Sequence, residues 1–329
     1  MTFASRHFGK QGSERQIRSA SAAGSLCDAR PARGARGFIV IAVLWILAAL
    51  SALVLIYLTY VTNTAIIVAG STDRIQTEAM VTGGVELAAL QLVGLADAAR
   101  PTSGTFNARL GGGRVFVTFR SEAARVDLNA ASKALLSGLM TGLGVSASNA
   151  ALYADRILAW RAPTELGDSD PENSFYKTSG ITYFPRHAPF PAADELWLVH
   201  GIPSAVIGRM LPFVTVFSNM AAVNVLDAAP QVLAALPGMT PENLQSLLAQ
   251  RSDPSVDPHA LIGLSGGEGA TLAGSKAYRV TVDAELPDGR RGGGEVVILL
   301  LESGDDPYRV LSWRNNSDGS MAPQQASSR

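Results

Sequence analysis

The sequence predicts an α+β protein: a long N-terminal α-helix, a small antiparallel sheet, and a large α-helical domain inserted within that sheet. Three observations carry this prediction. An uncharged run of residues lies between Arg36 and Asp73. Period-two strands stand on either side of a long helical stretch. Inside that stretch, two segments resemble each other.

The chain has 329 residues and a formal net charge of −1, so its overall charge points to no nucleic-acid partner. The charge is unevenly placed. Before Phe38 there are seven Arg or Lys against Glu14 and Asp28, a net of +5, which leaves −6 for everything after it. Residues 1–37 are basic and rich in Ser, Ala, Gly and Arg, a composition too poor in apolar surface to build a core, and they read as a disordered leader. The single cysteine, Cys27, falls in that leader, so the remainder has neither a disulfide nor a thiolate metal site.

Phe38 to Leu58 is a run of 21 uncharged residues, mostly Leu, Ile, Val and Ala. As a helix it spans roughly 31 Å, the thickness of a bilayer's hydrocarbon core. It exceeds a secretory h-region, and "IYLTYVTNTAII" offers no good small-x-small cleavage site, so the segment is expected to be retained. Tyr57 and Tyr60 stand where interfacial aromatics anchor a span, and Arg30, Arg33 and Arg36 keep the N-terminal side in the cytoplasm. The expected domains are the leader 1–37, a transmembrane helix 38–60, a helix continuation with the first strand 61–128, the inserted helical domain 129–272, C-terminal strands 273–314, and a polar tail 315–329.

Beyond the span, Ile75, Met80, Val85, Leu87, Leu90, Leu92 and Leu95 recur at helical spacing. They extend the helix amphipathically to about Ala99, and Pro101 stops it. "GGGRVFVTFR" then supplies the expected first strand, with Val115, Val117 and Phe119 alternating against Phe116, Thr118 and Arg120. Its glycines, and those at 292–294, read as turns. The stretch from Ala130 to about Arg251 is helical. "VDLNAASKALLSGLMTGLGVSASNAALYADRILAWR" and "VNVLDAAPQVLAALPGMTPENLQSLLAQR" each give a short strand, an Asn or Asp cap, a Leu-rich helix, a Gly turn and a further helix. The latter segment, from Val223 to Arg251, resembles a helix-hairpin-helix unit. Between them, "AADELWLVHGIPSAVIGRMLPFVTVFS" reads as another helical pair turning at Gly201 and Pro203. "AYRVTVDAEL", "EVVILLLES" and "PYRVLSWRN" close the chain as an antiparallel meander.

The junction "RGARG|FIVIAVLWILAALSALVL" resembles the class III signal of type IV pilins and type II secretion pseudopilins. The rest of the chain, including "DELWLVHGI" and "YRVLSWR", resembles the minor pseudopilin K (GspK) family. That resemblance implies a pilin fold carrying the helical insert and removal of the leader between Gly37 and Phe38 by a prepilin peptidase, with methylation of the new N-terminus. It also implies a bacterial inner-membrane location with the bulk of the chain periplasmic. The expected role is at the tip of the pseudopilus, alongside the I and J minor pseudopilins and the major pseudopilin filament. Most members carry a Glu at the fifth mature position, where this chain has Ala42. A filament subunit with nothing above it has no amine to pair with such a buried acid.

Enzymatic chemistry has a thin inventory here. His187, His200 and His259 lie in separate segments without H-E-x-x-H spacing, and no serine sits in a G-x-S-x-G elbow, so the expectation is a protein that is not an enzyme. One acidic stretch, "RAPTELGDSDPENSFYKTSG", places Asp168, Asp170 and Glu172 in alternation. Such oxygen ligands suit Ca²⁺, but the EF-hand pattern fails, and composition by itself favours a plain solvated acidic loop. The family resemblance implies calcium in this region and adds Asp194 as a ligand, whereas Ala162 and Thr164 stand where relatives have aspartates. Two other readings come from different classes: a membrane-anchored DNA-uptake receptor using the hairpin unit, and an anchored periplasmic enzyme. The hairpin turn at 237–240 has no base before Arg251, which removes the phosphate term a DNA receptor needs.

Overall fold

The computed structural model describes residues 35–163, 170–253, 255–302 and 306–316, in two compact units that divide between Ile67 and Val68. Helix α1 runs from Ala35 to Val93. In the first unit its stretch Ile39–Val61 is long and apolar enough to cross a membrane, and none of that window is buried. Side chains such as Trp45, Leu53 and Ile56 stand exposed, which in water is tolerable only if lipid or other helices cover them.

In the second unit the C-terminal half of α1 lies on a five-stranded antiparallel sheet. The strands are β1 (Ser103–Leu110), β2 (Gly113–Ser121), β7 (Ala277–Glu285), β8 (Arg291–Leu300) and β9 (Tyr308–Asn316), in the order β1-β2-β7-β8-β9. Along β2 every second residue is buried. Val115, Val117 and Phe119 face Met80, Val81, Val85, Ala88 and Leu92 of α1, while Phe116, Thr118 and Arg120 face outward. Each fully buried Val or Leu in this layer contributes about 1.5–3 kcal/mol.

Helix and sheet meet through glycines. A Cβ on Gly84 of α1 would fall 2.8 Å from Val282 Cγ1 and 3.2 Å from Val117 Cγ2. One on Gly294 of β8 would fall 3.0 Å from Val81. The glycines at 292–294 are therefore strand residues, of which Gly292 and Gly294 let the helix approach, and not the turn that the sequence predicts. The turn lies earlier, at Gly289 with φ 84°. The structure also corrects two other expectations. The helix ends at Val93, with a separate 3₁₀ turn at Asp97–Ala99. The strand read as the first is the second, because Ser103–Leu110 precedes it as an edge strand paired Phe106↔Val117.

The second core belongs to the insert between β2 and β7. It opens with β3 (Val126–Asp127), α2 (Lys133–Gly142) and α3 (Ala147–Arg161), followed by α4 (Pro171–Thr178), a 3₁₀ turn at Ala193–Leu198, α5 (Ser204–Met210) and β4 (Val214–Thr215). Then come β5 (Val223–Asn224), α6 (Pro230–Leu233), α7 (Pro241–Gln250), α8 (Pro258–Leu264) and β6 (Ala270–Thr271).

The two similar segments fold alike. β3 pairs in parallel with β4, and β5 in parallel with β6. Asp127 Oδ1 accepts from Asn129 N, and Asn224 Oδ1 accepts from Leu226 N, each making a turn that leads into the first helix. At the end of the following helix, Arg161 Nη2 donates to Ala131 O and Arg251 Nη1 donates to Ala228 O, both at 2.8 Å. The halves also touch at matching places, since a Cβ on Gly138 would run into the Ala235 carbonyl. The expected Asn and Asp caps are not caps, because those turns delay the helix start. Ser132 caps α2 by accepting from Leu135 N, Asn129 bonds to Phe190 N, and Asp227 accepts from Ser103 Oγ.

The close helix–sheet approach sets an expectation. Gly84→Val should lower unfolding free energy by about 2 kcal/mol, since the branched side chain has no room against Val282 and Val117. Gly263→Ala, where a Cβ meets nothing within 4 Å, should be neutral or stabilising. Denaturant unfolding of the detergent-solubilised chain measures both.

Candidate functional site

The predicted site residues fall in three places. Gly37 and Phe38 lie in the first turns of α1. Asp168 lies outside the described residues. Asp170 is the N-cap of α4: its Oδ1 accepts from Glu172 N at 2.9 Å, and its Oδ2 lies 2.9 Å from His187 Nε2 without hydrogen-bond alignment. His187 adopts φ 52°, and its Nδ1 lies 3.1 Å from the carbonyl of Ala162. Glu172 pairs with Arg156, whose guanidinium sits 3.6 Å above the ring of Phe175. Asp194 is elsewhere, paired at 2.9 Å with Arg314 of β9, both side chains exposed.

The structure therefore brings Asp170 and Glu172 together and leaves Asp194 with an arginine. Two buried carboxylate oxygens, Asp170 Oδ2 and Glu172 Oε1, have no hydrogen bond among the described residues. Those residues contain no group of three His, Cys, Asp or Glu that could hold a metal ion.

The most heavily charged site lies where the sheet meets the insert. Glu122 is almost fully buried in the 3₁₀ turn that leaves β2. Its Oε1 accepts from Arg279 Nε at 2.7 Å and its Oε2 from Arg279 Nη2 at 3.1 Å, a two-pronged pair that Thr215 Oγ1 extends. Arg279 Nη1 also reaches Glu295. Burial works against the Arg279 charge, yet Glu122 and Glu295 together hold its pKa above the ordinary arginine value. Nearby Arg125 is pushed down to about 10, first by burial and then by Arg279. Sequence reasoning missed this cluster, because Glu122 and Arg279 are 157 residues apart, one just past the end of an ordinary-looking strand and the other near the start of another.

Apolar side chains are also exposed. Ile75 and Leu90 project from α1, and Tyr183, Phe184, Trp197 and Leu198 from the insert. At the hairpin turn before α7, Gly238 has φ 78° and Thr240 caps the helix, while Arg251 turns inward to the Ala228 carbonyl. That turn has no outward base to meet a phosphate.

Removing half of the buried pair tests the seam. Glu122→Gln should cost about 3 kcal/mol or more of stability, because Arg279 is left charged and poorly compensated away from water. Exposed Lys133→Gln, which breaks a surface pair with Asp155, should cost well under 1 kcal/mol. Urea midpoints of the two variants decide this.

Comparison with known proteins bears on the same regions. Residues 117–219 match the family described as type II secretion system (T2SS), protein K. Among solved structures, the fold is similar to a chain of the GspK-GspI-GspJ complex from the enterotoxigenic Escherichia coli type 2 secretion system. The match has a TM-score of 0.52 and 19% identity, covering 76% of this chain and 99% of that one. No curated protein matches the sequence. The matched region begins in β2 and runs through the first half of the insert, the part that sets this chain apart from a bare helix-and-sheet unit. The protein K match over 117–219 therefore sits on a fold that this chain shares, over most of its length, with that chain of the GspK-GspI-GspJ complex.

Proposed function

We propose that this chain is a minor pseudopilin K of type II secretion, made as a precursor, cut between Gly37 and Phe38 by a prepilin peptidase, methylated at Phe38, and placed at the tip of the periplasmic pseudopilus. Before assembly, the span beginning at Phe38 holds it in the bacterial inner membrane, with Arg30, Arg33 and Arg36 on the cytoplasmic side and the bulk of the chain in the periplasm. The observation that carries the reading is the protein K match over 117–219, set downstream of an exposed apolar helix of spanning length.

The partners inferred are the I and J minor pseudopilins, which are present with GspK in the similar complex, and the major pseudopilin below them. Ile75 and Leu90 offer α1 an apolar face for their helices. The insert caps the filament by bulk, and Ala42 supplies no acid to pair with a further subunit. The two helix pairs of the insert, read as helix-hairpin-helix-like units, serve packing rather than DNA: their arginines are spent on internal carbonyls. The role is structural, with no catalytic residue assigned.

The test is the N-terminal mass of the protein extracted from membranes, together with its co-purification with the I and J subunits. A chain beginning at N-methylated Phe38 and carrying both partners is expected. A Met1 terminus, or a cut beyond Tyr60, overturns the processing and anchoring scheme. Isolation without either partner overturns the tip assignment.

Calcium belongs to the same reading. Asp170 and Glu172 fit an oxygen-seeking cation through their unsatisfied buried oxygens. Asp168 is a further expected ligand, and Asp194 joins only by leaving Arg314. A bound ion would screen these neighbouring carboxylates from one another. Calcium titration by calorimetry should show binding that Asp170→Asn weakens. No heat up to ~1 mM calcium, the weak end for extracellular sites, removes the ion from the account.

A further inference from the structure

The seam between sheet and insert contains two cavities that the assembly role leaves unused. One, of about 250 Å³, is lined by Arg120, Arg125, Glu122, Arg279, Phe213 and Val232 among others. The other, of about 400 Å³, shares Arg125, Pro212, Arg279 and Glu295 with it and reaches Trp313. Arg125 thus stands in the wall common to both.

The charges around it are unevenly satisfied. Arg279 is taken by Glu122 and Glu295, and Arg314 by Asp194. Arg125 is half-buried, and its side chain makes no hydrogen bond or ion pair with any described residue, although all five of the guanidinium N–H groups are donors. Arg120 is exposed and likewise unpaired among the described residues. It lies directly across the β2–β7 ladder from Arg279, and since Glu122 and Glu295 already balance Arg279, Arg120 is the uncompensated member of that like-charge pair. The Arg125 pKa is lowered by burial first and then by Arg279, with a smaller lowering from Arg120, while Glu122 and Glu295 partly offset these.

We propose that this seam is a binding site for a single carboxylate carried on an apolar body. Arg125 provides the planar fork and Arg120 a further cation. The chemistry selects this class over phosphate. A guanidinium matches a carboxylate with two parallel hydrogen bonds, whereas the adjoining Glu122 and Glu295 repel a dianion. Pro212, Phe213, Ala229 and Val232 line the rest of the first cavity and suit an aliphatic or aromatic tail. An organic acid and the free C-terminus or acidic side chain of a polypeptide share that chemistry.

Calorimetry on the full chain in detergent, with butyrate, inorganic phosphate and an acetylated apolar pentapeptide bearing a free C-terminus, tests the assignment. Butyrate or the peptide should bind, and Arg125→Gln should weaken that binding about tenfold or more, the worth of a charge-assisted contact. Arg120→Gln, at an exposed position, should weaken it in a fold left intact by circular dichroism, while Arg291→Gln on the exposed end of β8 should not. Tighter butyrate points to a small acid, and tighter peptide to a polypeptide partner. No binding of either, equal binding by wild type and both Arg125→Gln and Arg120→Gln, or binding of phosphate alone overturns the proposal.

Discussion

Arg279 enters β7 where the chain returns from its helical insert, and Glu122 leaves β2 where the insert begins. Their two-pronged contact closes a loop of more than 150 residues in one step. Both charges are largely out of water, so neither is tolerable without the other, and the geometry that satisfies them also sets where the insert sits on the sheet. Thr215, at the end of β4, ties the same carboxylate to the insert's own short parallel pairing. The sheet and the insert are distinct cores held in register by a polar bolt at their boundary.

The helix–sheet layer follows a different rule, steric rather than electrostatic. Small residues at Gly84, Gly113 and Gly294 let α1 settle onto the sheet so that Val85, Ala88 and Leu92 are buried. That burial fastens the second unit's part of α1 to folded protein, while the segment Ile39–Val61 has no apolar cover of its own. A subunit built this way carries one greasy stretch suited to lipid or to the helices of a filament, and one already committed to its own core.

Several features could be read directly from residue order. The uncharged run after Arg36 and the alternation of Val115, Val117 and Phe119 match the described helix and strand. The similarity of the two insert segments, ending at Arg161 and Arg251, reappears as the same guanidinium-to-carbonyl contact in each half. Other features were hidden for physical reasons. Ser103–Leu110 holds Ser, Gly, Asn and Ala, weak strand formers that become a strand only because β2 offers a ladder. The glycines at 292–294 resemble a turn until α1 lies across them. Asp170 and Glu172 stood out as an acidic pair, but nothing local announces His187 or Arg156 as their neighbours.

What the sequence determined by itself is an unbroken apolar helix long enough to cross a membrane, a property of composition that depends on no distant residue. It also determined the period of each strand and helix, which follows from the backbone's own repeat. The tertiary structure alone decided which charges face one another across the seam, which glycines must remain glycine, and that Arg125 has no partner among the described residues. Coulombic and steric forces act through space, so their outcome depends on residues brought together from far apart along the chain.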